Sequence, residues 1–275
     1  MSHTIHAARS TLLLVGLACL PAGRAAPPEP TFRYEARPAL VFEYHGEPDL
    51  RLPTAVTIAA DGTVYVVDGV QDRILVFAPT GDFREEIRQV GEQPLARPIS
   101  AKVDHAGVLW IADTGHARVL ARGPDGGLLR EIRCPQPPGS AHAPSVTDVA
   151  VSPDERYVWL VDNANHRLGQ FDAETESLSF VGGEGQGFGR FYHPFLLAQG
   201  QAGDVFVSEP LNSRVQILGP AGQTTGSLGT FGVELGELYR PKGIALDHDG
   251  NAWVADGTMK RSSDSSGGPS YSRKL

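Results

Sequence analysis

The chain has 275 residues, 41% apolar and 20% charged, enough to bury a core and too hydrophobic for wholesale disorder. Its net charge of −8, with no cluster of Lys and Arg, excludes nucleic acid as a partner. Gly (32) and Pro (21) are abundant without a collagen-like or low-complexity period, so they read as turn punctuation.

The first element in chain order is an apolar run, Thr11-Leu-Leu-Leu-Val-Gly-Leu-Ala-Cys-Leu20. Arg9 precedes it and the small residues Gly23 and Ala25 follow, which predicts an export signal over residues 1–25 and a secreted or periplasmic mature chain. The run is too short for a lasting transmembrane helix, and no other stretch is apolar enough to supply one. Leu17-Ala18-Cys19 resembles a lipoprotein cleavage site, making a lipid anchor through Cys19 the alternative. Residues 26–38 read as a linker. Without the signal, Cys134 is the sole cysteine, so neither an internal disulfide nor a Cys-rich zinc site can form, and the thiol reads as structural.

A repeat occupies residues 39–261. Five segments end an apolar run with an acid and place Arg five residues later: Asp68 with Arg73, Asp113 with Arg118, Asp162 with Arg167, Glu209 with Arg214, and Asp256 with Arg261. The acids lie 45, 49, 47 and 47 residues apart. Pro53, Pro98, Pro194 and Pro241 each stand fifteen residues before the acid, and Pro144 stands eighteen before Asp162. Each unit holds four short apolar or β-rich runs with turns such as Ala60-Asp-Gly62 and Pro79-Thr-Gly81 between them. Four strands per period of this length predict an all-β chain, a β-propeller of four-stranded antiparallel blades. About five blades are represented, the last incomplete. No sustained 3.6-residue apolar period supports a helical solenoid.

After Arg261 the expected third strand gives way to a Ser-rich stretch, so residues 262–275 read as a disordered or aberrant tail. The expectation is a truncation or frameshift in the fifth repeat, leaving an unpaired edge near residues 252–256 that promotes association. The run Ala39-Leu-Val-Phe-Glu-Tyr44 reads as an isolated outer strand of the kind that closes a propeller on its last blade.

Pro241-Lys-Gly-Ile-Ala-Leu-Asp-His-Asp-Gly-Asn-Ala-Trp-Val-Ala-Asp256 resembles an NHL repeat, and so does the glycine-rich connector Val181-Gly-Gly-Glu-Gly-Gln-Gly-Phe-Gly-Arg-Phe-Tyr-His-Pro194. The resemblance to the NHL-repeat propellers implies a six-bladed ring and leaves function open, since that family holds binding scaffolds and a few enzymes. One such enzyme, the peptidyl-hydroxyglycine amidating lyase, carries channel histidines, zinc and calcium. Its histidines follow the blade-opening Pro or replace it, and here the matching positions hold Thr54, Ile99, Phe195 and Lys242. Gluconolactonase-type propellers imply acidic and Asn ligands on the channel face, where Asp148 is the single acid.

The acid–Arg pairs recur in every unit and are read as architecture. Arg51, Arg97, His142, His193 and Arg240 precede or neighbour the blade-opening Pro and are expected to ring one channel mouth, where they suit a small acidic ligand or an acidic protein segment. His105 and His248 fall in turns at the opposite end, and His116 and His166 are expected to face solvent. Only His142 and His193 are expected to share the mouth, so no cofactor is expected, with zinc or calcium as the alternative. No catalytic set stands out. The functional expectation is a non-catalytic protein- or ligand-binding scaffold using the mouth and the loops at Gln71, Thr114 to His116, Asn163 to Asn165 and Asn212. The alternative is a metal-dependent lyase or hydrolase with part of its site missing.

Overall fold

The computed structural model describes residues 53–232, 234 and 236–257, the strands Leu14–Val15 and Tyr271–Lys274, and residues 44, 46, 49 and 50. Among these residues there is no α-helix, and three single 3-10 turns accompany the strands.

Four sheets are antiparallel meanders of four strands each. Blade one holds Ala55–Ile58, Val64–Asp68, Arg73–Phe77 and Phe83–Ile87. Blade two holds Pro98–Val103, Leu109–Asp113, Arg118–Arg122 and Leu128–Arg133. Blade three holds Val146–Val151, Tyr157–Asp162, Arg167–Asp172 and Ser177–Gly182. Blade four holds Leu197–Gln199, Val205–Glu209, Arg214–Leu218 and Thr224–Leu228. The first strands of successive blades pack side by side, which makes them the innermost.

Blade five begins alike, with Pro241–Leu246 paired to Ala252–Asp256. Tyr271–Lys274 forms its third strand, antiparallel to Ala252–Asp256 with Tyr271 opposite Asp256, so residues 252–256 are paired on both sides. A β-strand needs only backbone donors and acceptors in register, and the Ser-rich stretch is followed by four residues able to supply them. Leu14–Val15 adds a parallel fourth strand. It lies within the segment read as an export signal, whose cleavage would remove it. Arg261 and residues 39–43 lie outside the described residues.

Stacking blades buries both faces of a middle strand, so these strands read as apolar runs rather than strict alternations. All of Arg73–Phe77 is buried, whereas the outermost strand Phe83–Ile87 is largely exposed. Four apolar clusters join the five blades in sequence. The residues one and three before each acid face the following blade, and those two and four before it face the preceding blade. Trp159, for example, packs with Leu197 and Val207 of blade four, while its neighbour Leu160 packs with Ala112 of blade two.

Short carboxylates fix the first hairpin of a blade. Asp104 accepts from the Ala106 and Val108 amides and, at 2.7 Å, from the Trp110 indole. Asp247 repeats the device on the Asp249 and Asn251 amides and on the Trp253 indole at 2.9 Å. These bonds hold the Asp247 carboxyl down at about 2, the Asn251 side chain contributing most.

Candidate functional site

The acid and Arg of each repeat meet across the loop between second and third strands. Arg Nε donates to the acid at 3.0 Å in Asp68–Arg73, 2.7 Å in Asp113–Arg118, 2.9 Å in Asp162–Arg167 and 2.7 Å in Glu209–Arg214. All four acids are buried. Three of these carboxylates, and that of Asp256 in blade five, also hold the chain entering their own blade. Asp113 accepts from the Ala96 amide, Asp162 from Ser145, Glu209 from Tyr192, and Asp256 from Tyr239 and Arg240. The guanidinium then grips the connector from the previous blade. Arg118 bonds Gln93 and the Pro94 carbonyl, Arg167 the Pro135 carbonyl, and Arg214 the Gln186, Gly187 and Arg190 carbonyls. One ion pair thus pins three chain segments.

The loops between these acids and arginines also stitch blades together. Thr114 donates to the Val146 carbonyl at 2.6 Å, and Asn163 to the Pro194 carbonyl at 2.8 Å. Asn212 turns inward to Glu209 and the Gly185 carbonyl. Part of the surface expected to contact ligands therefore holds neighbouring blades.

At the proline mouth, Arg97, His142 and Arg240 are exposed. Arg97 has φ 46° and bonds Asp72 through its backbone amide at 2.6 Å, so its side chain is free of that role. Arg51 lies outside the described residues. His193 is half-buried, and its surroundings correct the histidine expectation. His166 does not simply face solvent: its Nδ1 accepts the His193 amide at 3.0 Å, and the two rings meet edge-on with centroids 4.3 Å apart. The Tyr192 ring stacks on His166 at 5.3 Å, and Asn163 bonds His193 Nδ1 at 3.3 Å. Partial burial, and then the charges of His193 and His142, lower the His166 pKa. His166 sits in the left-handed region one residue before Arg167, a placement that hydrophobic patterning does not reveal. Among the described residues no three His, Cys, Asp or Glu side chains converge as a metal site.

The opposite mouth holds a cavity of about 740 Å³, which none of Arg97, His142, His193 and Arg240 lines. Its walls are the ends of the first strands of blades two to five, including Val103, Val151, Leu197, Ala198 and Leu246. His105 and His248 stand in the turns around it, at the end where the sequence places them. Lys102 is the single Lys or Arg of the lining, its Nζ 3.8 Å from Asp148 Oδ2. Asp148, the acid expected on the channel face, is fully buried and accepts from the Val149 and Leu197 amides. Sequence reading missed this cavity because its lining is mostly small and aliphatic, without a motif. Cys134 lies in the core, where burial and the Asp162 charge push its thiol up to about 12.

No protein-family model matches the sequence, and neither does any curated protein. Solved structures do match. A streptogramin B lyase superposes with a TM-score of 0.59 at 17% identity, over 74% of this chain and 62% of that one. A gluconolactonase from Xanthomonas campestris gives 0.58 at 15%, over 74% and 68%. A nidogen/laminin complex gives 0.56 at 15%, over 75% and 73%. The chain spans about three-fifths of the length of the lyase it matches. Blade sheets and fold neighbours agree that this chain is a β-propeller of about five blades.

Proposed function

We propose that this is an exported NHL-type propeller acting as a non-catalytic binding scaffold, and that its ligand enters the cavity at the hairpin mouth. The carrying observation is the cavity of about 740 Å³ between the inner strands of four blades, of a size that takes a small molecule or a peptide segment. Aliphatic walls, with Asp104, Asp204, Asp247 and Asp249 in the lining against the single cation Lys102, suit a ligand with an apolar body and a polar or basic group. Ala202 is exposed and lines the cavity, so Ala202→Trp narrows the mouth without touching the core. Native mass spectrometry against a panel of small amines and apolar peptides should give a complex that Ala202→Trp weakens at least tenfold. Binding that instead survives Ala202→Trp and is lost in Arg97→Ala or Arg240→Ala would move the site to the proline mouth.

The second reading is a metal-dependent lyase or hydrolase, favoured by the His166–His193 contact beside Tyr192. Lyase and lactonase chains among the fold neighbours make it worth a direct test. Protein purified without chelators or a His-tag should be folded and free of zinc, calcium and iron. One metal per chain that disappears in His193→Ala would replace the scaffold reading with this one.

A further inference from the structure

The two ends of the blade array are unlike its interior. In blades two to five, the first-strand residue paired opposite the position two before the acid packs against the preceding blade. Ala101, Val149, Leu197 and Ile244 hold this place, none more than 8% exposed. The same place in blade one belongs to Val56, which is 63% exposed, with Ile58 beside it at 64%. Tyr44 covers the outer part of that face, next to Val64, Leu75 and Phe77. At the other end, Ala255 stands one residue before its acid. Its counterparts Val67, Ala112, Val161 and Ser208 are fully buried against the following blade, whereas Ala255 is exposed, as is Ala245 on the same face. Among the described residues no apolar cluster joins blade five to blade one.

We propose that these two faces bind each other between copies of this chain, blade five of one copy seating on blade one of the next. The two internal interfaces nearest the open end, between blades three and four and between blades four and five, share one packing rule. Ala150 of blade three packs with Leu197 of blade four, and Ala198 of blade four packs with Ile244 of blade five. A small residue on the leading blade thus receives a large aliphatic from the trailing one. Ala245 occupies the Ala150 and Ala198 position, and Val56 occupies the Leu197 and Ile244 position. The leftover faces are therefore a matched pair of the same kind, and their burial would remove exposed apolar surface at both ends. Because the two patches differ, the contact is heterologous and grows head to tail into a ring or a filament.

The test is sedimentation velocity on the full mature chain across a hundredfold concentration range. The wild type should associate progressively. Ile58→Asp and Ala255→Arg, both at exposed positions, should each weaken association tenfold or more while keeping the wild-type circular dichroism spectrum. Val56→Asp and Ala245→Arg replace either variant that fails to fold. An equal mixture of Ile58→Asp and Ala255→Arg retains one good pair of faces and should stop at a two-subunit species. A wild type that stays monomeric throughout overturns the proposal, and so do assemblies that neither variant changes. An Ile58→Cys, Ala255→Cys double variant whose disulfide forms within single chains overturns it as well, since the faces would then close on each other in one molecule.

Discussion

The Asp113 carboxylate holds the Ala96 amide and Arg118 Nε while remaining fully buried. Asp113→Ala leaves the Ala96 amide unpaired and the buried Arg118 guanidinium with the half-exposed Glu131 as its one anion, a loss on the order of 3 kcal/mol. Urea unfolding should show that drop, with little change in any ligand affinity, since the side chain does not line the cavity. His166 makes a different kind of prediction. Its Nδ1 accepts an amide proton, which only the neutral ring can do, and its folded pKa is below the ordinary value of 6.5. Below that ordinary value the unfolded chain takes up the proton first, so stability is fully present above it and falls as pH drops through the folded value. Thermal unfolding of wild type and His166→Gln from pH 7.5 to pH 5 should show a decline in the wild type that the variant lacks.

At the scale of the element, the acid-to-Arg loop repeats one backbone device. Asp72, Ala117, His166 and Ser213 each precede the Arg and lie at φ between 51° and 55°. A side chain there costs about 1 kcal/mol or more, which the buried ion pairs on either side impose. Ala117→Gly removes that strain and should raise stability by up to about 1 kcal/mol in urea unfolding. The repeated acid and Arg were legible in the sequence because both spacing and chemistry recur. The left-handed turn was not, because Asp, Ala, His and Ser share no side-chain property that signals it.

At the scale of the molecule, the apolar clusters among the described residues form a linear series, each joining a blade to its neighbour in sequence. Trp159 is fully buried where blades three and four meet, and Trp159→Ala should cost about 3–5 kcal/mol by chemical denaturation. Blades two, three and four each pack against two neighbours, whereas among the described residues blades one and five each pack against one. Hydrogen exchange should accordingly be slowest in the middle strands of blades two to four and faster in Ala55–Ile58 and Ala252–Asp256. Uniform protection across all five blades would contradict this picture.

Sequence alone determined the all-β character, the blade period, the strand boundaries near each acid and the inertness of Cys134. Those features rest on local spacing and residue type, which the chain carries wherever it folds. The tertiary structure decided which residues meet. It drew Tyr271–Lys274 into the last sheet, because backbone pairing is indifferent to a Ser-rich approach. It set His166 against His193, residues that belong to different repeats and come together only when blades stack. It opened the cavity at the hairpin mouth, because the space between inner strands depends on how the blades are arranged around their axis and not on any one strand.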